Sequence, residues 1–343
     1  IAISSGAGAD NYSFKMSGGT VRLTGEFCPD SDNALLHLNN SNMIFTMSGG
    51  EINIEGTAPT GAGETNGILI ASSEGNYNVT GGTVNIDNPG GGNVEINAAA
   101  NFYNLNVTQN SDVILQSGLE ITNDLTIENG ATLDADGNDL SIGGDFNLED
   151  GGLFTHGNNT TYFLGGDTTQ INIENTGTAS PLNFYNLVVD KDQKFNPDEY
   201  WSLRVLSPGR TTDPANANNT VLTIENNLTI DRGEFDTYTF TVEVNENIDL
   251  GDGNISGDAG SSGIIELNGS SGTHELSSES EDNTMGHVVL NDGNGAQLQR
   301  DVKFADFTLS TGIMDIQEHR MTVDSGRIQG SGFGDGKMIM TNG

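Results

Sequence analysis

Apolar residues fall on every second position along almost the whole chain. Pairs two apart include Val21/Leu23, Ile52/Ile54, Val84/Ile86, Leu105/Val107, Leu125/Ile127, Ile171/Ile173, Leu228/Ile230, Ile248/Leu250 and Phe307/Leu309. The residues between and beside them are mostly Asn, Thr, Asp, Glu and Ser. A period of two marks a strand with one face buried. The runs are short and are separated by Asn, Asp and Gly, the residues that make turns. No apolar stripe of helical period is sustained, and 47 glycines argue against long helices. The pattern predicts an all-β chain whose strands are joined by turns.

The strands come in repeats. Met16-Ser17-Gly18-Gly19-Thr20-Val21 returns as Met47-Ser48-Gly49-Gly50-Glu51-Ile52 and again as Val79-Thr80-Gly81-Gly82-Thr83-Val84, in steps of 31 and 32 residues. A second strand keeps phase with it, as Leu35-Leu36-His37-Leu38 and then Ile68-Leu69-Ile70. Further on, Asn123-Asp124-Leu125-Thr126-Ile127 is echoed by Asn226-Asn227-Leu228-Thr229-Ile230 and faintly by Asp306-Phe307-Thr308-Leu309. The phrase Asn101-Phe102-Tyr103-Asn104-Leu105 returns as Asn183-Phe184-Tyr185-Asn186-Leu187.

Units this short cannot cover their own apolar face, so each must stack on its neighbours. Parallel strands joined by turns rather than helices are successive windings of one coil. The expected fold is therefore a parallel β-helix, a β-solenoid forming a single elongated rod, right-handed as in related folds. Interior positions take Leu, Ile, Val and Phe, and stacked Asn and Thr are expected to form ladders. Gly-Gly pairs are expected at tight corners. Residues 1–100 read as an N-terminal section with repeats of about 31 residues. Residues 101–343 read as a continuing section of longer period.

Charge narrows the partners. Twelve Lys and Arg face 48 Asp and Glu, a formal net charge of −36. Such a surface repels phosphate backbones and anionic lipid, so neither nucleic acid nor direct membrane insertion is expected. No window approaches the ~20 apolar residues that span a bilayer. Cys28 is the single cysteine, so no disulfide forms within the chain, and a small apolar role is expected for it. The chain opens at Ile1 and closes within strand-like sequence, as a segment of a longer protein would.

One stretch breaks the rhythm. Leu187 to Leu228 is 41 residues, where the matching steps elsewhere are about 20, so an insertion is expected at 190–220. It holds Lys191, Lys194, Arg204 and Arg210, a third of the basic residues, and Trp201, the sole tryptophan, beside Tyr200. Insertions in repeat proteins commonly form loops on the binding face. Tyr200, Trp201, Arg204 and Arg210 are the candidate ligand-binding residues, with the aromatic faces and guanidinium groups contacting a sugar or a partner chain. The competing reading is a packing flap in which Trp201 covers core.

Catalytic and metal signatures are absent from the spacing. The five histidines, His37, His156, His274, His287 and His319, are scattered and form no His-x-x-x-His pair. No phosphate loop is present. Asp134-Ala135-Asp136-Gly137-Asn138-Asp139 begins like an acidic calcium loop but lacks the closing Glu, and Asx-turn chemistry accounts for it. No cofactor, catalytic residue or metal site is expected; calcium is the one ion such turns would suit.

The run Asn226–Ile230, the phrase Phe154-Thr155-His156-Gly157-Asn158-Asn159-Thr160 and the recurring Phe-Tyr-Asn-Leu-x-Val resemble the β-helical repeats of very large Bacteroidota surface proteins. Those proteins leave the cell by the type IX secretion system and include gliding-motility adhesins. The resemblance covers Asn101 to Gly343, and residues 1–100 more loosely. It implies an extracellular, cell-surface location and contact with the secretion machinery. It supplies no catalytic residues, and the C-terminal cargo-targeting domain of such proteins is not seen. The expected function is a non-enzymatic stalk or adhesive segment, touching polysaccharide or other surface proteins through loops. Two other classes stay open: a carbohydrate-active β-helix enzyme, a lyase or hydrolase using carboxylates on one face, and a structural protein that assembles with itself.

Overall fold

The computed structural model describes residues 2–4, 12–26, 34–57, 65–88, 93–174, 182–192, 201–207, 220–256, 263–269, 271–324, 328–334 and 336–341. Cys28, Tyr200 and Arg210 lie outside them. Among the described residues there is no helix, only strands, turns and bends. The strands pair in parallel into three long sheets, and the fold is a parallel β-helix. The chain divides into two compact units, residues 1–160 with 174–177, and residues 161–173 with 178–343.

In the first unit one column of apolar residues, half-buried at Val21 and buried from Ile52 onward, runs through successive windings. Val21 pairs with Ile52, Ile52 with Val84, Val84 with Leu105, Leu105 with Leu125 and Leu125 with Phe146. A second column runs from Val94 through Val113 and Leu133 to Phe154. Strand alternation turns these side chains inward, and Ile52, Leu125 and Leu133 have no exposed surface. Each such burial contributes about 1.5–3 kcal/mol, which is why the columns and not the turns set the register.

The earliest windings differ from the later ones in how they turn the corner. Ser13–Glu26 and Ile44–Thr57 are strands of 14 residues that bend at Gly18-Gly19 and Gly49-Gly50, with register shifts at the bend. Gly50 has φ +92° and Gly82 φ +97°, the left-handed region open to glycine. A Cβ on Gly50 would stand 2.6 Å from the Gly19 carbonyl oxygen, and one on Gly82 would stand 2.8 Å from that of Gly50. The repeated glycines therefore stack directly on one another.

In the second unit a buried column runs Leu187, Leu228, Ile248, Leu276, Leu298. Another runs Leu182, Leu222, Val242, Ile265, Val288, Phe307. The third face carries Leu203, Phe235 and Ile255 in register. Aromatic rings fill the interior: Phe163 and Phe184 meet edge to face with centroids 6.1 Å apart, and the ring centres of Phe304 and Phe307 lie 5.0 Å apart.

The two echoed phrases do the same work. Leu105 of the Phe-Tyr-Asn-Leu phrase pairs with Leu125, and Leu187 of its second copy pairs with Leu228. Each phrase thus begins a winding that lies directly against the Asn-x-Leu-Thr-Ile strand of the next. Since Leu187 and Leu228 are direct partners, all the extra residues between them belong to one winding. Ser202–Leu206 within that stretch is a strand, with Leu203 and Val205 fully buried. Residues 193–200 and 208–219 are outside the described set.

One histidine gives this unit a pH dependence. His287 is half-buried, and burial holds its imidazole below the ordinary value of 6.5, with Asp306 opposing the shift weakly. A lowered value means the folded state disfavours the proton. Stability is thus fully present above 6.5 and is lost as the pH falls through that value toward the folded one. We expect wild type to lose stability relative to His287→Gln between about pH 7.5 and 5.5 in paired thermal melts. Parallel curves over that interval would contradict the assignment.

Candidate functional site

A polar surface lies on the second unit, over the strands Leu228–Arg232, Ile248–Leu250 and His274–Ser278. Leu228, Ile248 and Leu276 point inward there, so alternation turns Thr229, Asp249 and Ser277 outward. Register sets those three side by side on consecutive windings. The Ser277 hydroxyl donates to the Asp249 carboxylate.

At the corner where these strands begin, amide side chains connect winding to winding. Asn226 Nδ2 donates to Asn186 Oδ1 at 2.8 Å, and Asn247 Nδ2 to Asn227 Oδ1 at 3.0 Å. The Glu275 backbone N–H donates to Asn247 Oδ1 at 2.8 Å. Gln297 Nε2 donates to Glu275 Oε1 at 3.0 Å, and Gln317 Nε2 to Gln297 Oε1 at 3.0 Å. An amide both donates and accepts, so it can join the neighbour on each side at the ~4.8 Å spacing of strands. The first unit uses the same device, with Asn123 Nδ2 donating to Asn104 Oδ1 at 2.8 Å and Asn85 Nδ2 to Asn53 Oδ1 at 2.8 Å.

Between this corner and the outward row lies a shallow open depression of about 310 Å³, lined by Asn227, Thr229, Asn247, Asp249, Glu275 and Ser277 among others. Its chemistry is hydroxyl, amide and carboxylate on a floor of fixed backbone. Beside it, burial first, and then Asp190 and Asp249, hold the Asp231 carboxyl above its ordinary range, against the opposing Arg232. Arg232 Nε donates to Asp190 Oδ1 at 2.5 Å.

Of the residues singled out from the sequence, Arg204 sits on the strand Ser202–Leu206 and Trp201 just before it, while Tyr200 and Arg210 lie outside the described residues. Trp201 is half-buried, and its Nε1 lies 3.8 Å from where a Cβ on Gly166 would stand. Its backbone carbonyl accepts from the Glu234 N–H at 3.1 Å. Arg204 Nε donates to Asp236 Oδ2 at 2.6 Å, and its guanidinium lies 5.5 Å from the centre of the Tyr238 ring. Asp236 is buried, and its Oδ1 accepts from the Tyr238 N–H at 2.8 Å. Arg204 is therefore anchored on both sides, by a carboxylate and by a ring. Lys191 is turned inward with no exposed surface, and its ammonium donates to the Leu164 carbonyl at 2.6 Å.

The acidic turn at Asp134–Asp139 spends its oxygens on backbone. Asp134 Oδ1 accepts from the Asp136 N–H at 2.8 Å, and Asp139 Oδ1 from the Thr160 N–H at 2.9 Å. Among the described residues, no group of three or more His, Cys, Asp or Glu is gathered as a metal ion would need. His156 Nδ1 accepts from the Asn158 N–H at 3.0 Å within its own turn.

Sequence reading did not find Thr229, Asp249 and Ser277. The alternation already marks them as outward, but only the register shows that they form one row. Comparison with known proteins finds no matching family model, no matching curated protein and no matching solved structure.

Proposed function

We propose that this chain is a non-enzymatic adhesive or stalk segment of a secreted cell-surface protein, and that the polar face of its second unit contacts hydroxyl-rich polymers. The observation that carries this reading is the in-register row of Thr229, Asp249 and Ser277 beside an amide ladder, around a depression of about 310 Å³. Repeating donors and acceptors at strand spacing suit a polymer that itself repeats. Many weak contacts along such a row add through multivalency. The net charge of −36 favours neutral polysaccharide over acidic chains. The resemblance to type IX-exported gliding adhesins of Bacteroidota supports the same location and partners, with residues at 190–220 as a further contact region.

The test is a glycan array probed with wild type, Thr229→Ala/Ser277→Ala and Trp201→Ala. Neutral polysaccharides are expected to retain wild type and to lose the double variant about tenfold, a change of about 1.4 kcal/mol. Loss with Trp201→Ala would add the Trp201 edge to the surface. Wild type that binds no glycan, or a double variant that binds as wild type does, would remove this reading.

A second reading, a carbohydrate-active hydrolase, draws on one observation: burial and then the neighbouring charges of Asp190 and Asp249 raise the Asp231 carboxyl above its ordinary range, the direction a general acid needs. It predicts release of reducing ends from a bound polysaccharide, abolished by Asp231→Asn.

A further inference from the structure

A different surface, on the first unit, carries a smaller open depression. Ala98-Ala99-Ala100 is the only run of three alanines in the chain. It turns the corner after the strand Asn93–Ala98, between Ala71-Ser72 on the winding before and Gly118-Leu119 on the winding after. The run is held by backbone: the Ala99 N–H donates to the Ile70 carbonyl at 2.8 Å, and the Phe102 N–H to the Glu120 carbonyl at 2.9 Å. Asn101 adds a side-chain bond, Nδ2 to the Val79 carbonyl at 3.3 Å. Small side chains on a fixed backbone leave a notch of about 220 Å³, walled by Tyr77 on one winding and by Glu120, Asp139 and Ser141 on the next two, with Gly118 in its lining.

We propose that this notch is a subsite for one neutral pyranose ring. Tyr77 offers an aromatic face for the apolar side of a sugar, and its hydroxyl remains a donor. Burial first, and then the charges of Glu120 and Glu74, raise its phenol above the ordinary value of 10.0. Glu120 and Asp139 offer carboxylate oxygens to ring hydroxyls, and Ser141 a hydroxyl. The alanine floor admits a flat ring that a longer side chain would displace. Its volume is below the ~300–1,000 Å³ of clefts that bury a drug-sized ligand, so it takes one residue of a chain rather than several. Glu74, Glu120 and Asp139 exclude a uronic acid or a sulfated sugar by like charge. No metal-like grouping of acids occurs among the described residues, which argues against a bare divalent ion. This subsite shares its ligand class with the surface proposed above but none of its residues.

The test is saturation-transfer NMR and calorimetry on the full chain, with the methyl glycosides of glucose, galactose, mannose and N-acetylglucosamine. At least one is expected to bind with a Kd of about 1–10 mM, as a lone ring with few contacts does. Tyr77→Ala and Ala99→Gln are each expected to weaken it about tenfold. Ala99 is exposed, so its replacement fills the notch without touching the core and guards against misfolding in the Tyr77 variant. Thr229→Ala/Ser277→Ala is expected to bind the monosaccharide as wild type does. The proposal is overturned if none of the four sugars binds, if Ala99→Gln binds undiminished, or if only the Thr229/Ser277 variant loses binding. The last result would leave the polar face of the second unit as the sugar site.

Discussion

Phe163→Ala is expected to destabilise the second unit by about 3–5 kcal/mol. Phe163 has no exposed surface, and its ring meets that of Phe184, equally buried, edge to face. Truncation removes the transfer free energy of a whole ring and leaves a space that strands fixed by register cannot close. It also takes away one ring contact of Phe184. Windings in a coil are supported only by those on either side, so a void in one weakens the coupling of both neighbours. Chemical denaturation should show a lower midpoint for Phe163→Ala, with Tyr162→Ala, whose half-buried ring belongs to the outward set, costing less than about 1 kcal/mol. Equal midpoints for the two variants would mean that the interior of this unit is not packed as described.

Gly82→Ala is expected to cost about 2–5 kcal/mol, combining a left-handed backbone penalty of ~1–2 with an overpacking penalty of ~1–3. The residue sits at φ +97°, and its missing Cβ would stand 2.8 Å from the Gly50 carbonyl oxygen on the winding next to it. Gly75 separates the two causes. It has φ +85°, and a Cβ there would find nothing within 4 Å, so Gly75→Ala should carry only the backbone part, about 1–2 kcal/mol. Denaturation midpoints that fall equally for both variants would show that the stacked corner imposes no steric demand.

Much of this architecture could be read from the residues. The period of two placed Leu125, Ile127, Leu228 and Ile230 inside, and the return of Met-Ser-Gly-Gly fixed both the corner and the step to the next winding. Stacked asparagines followed from the same logic, since a chain that repeats Asn before each apolar pair must bring those amides together. Lys191 was harder. Alternation sets it in phase with Leu187 and Val189, which is inward, while its charge argues for water. The ammonium is satisfied by the Leu164 carbonyl, 27 residues earlier, a partner that no local pattern announces. Arg204 shows the same limit, because Asp236 and Tyr238 lie on the following winding. The notch at Ala98–Ala100 was equally hidden. Its wall, Tyr77, and its far side, Glu120, become neighbours only once the windings are counted.

The unbroken column from Val21 to Phe146 survives a change in contour length from 31 or 32 residues per circuit to 20 or 21. The difference in length never accumulates along the column of that unit. A residue's height is therefore fixed by how many circuits precede it, at ~4.8 Å each, and not by how many residues do. Such a backbone can gain or lose outward ornament at any bend while every later position keeps its place.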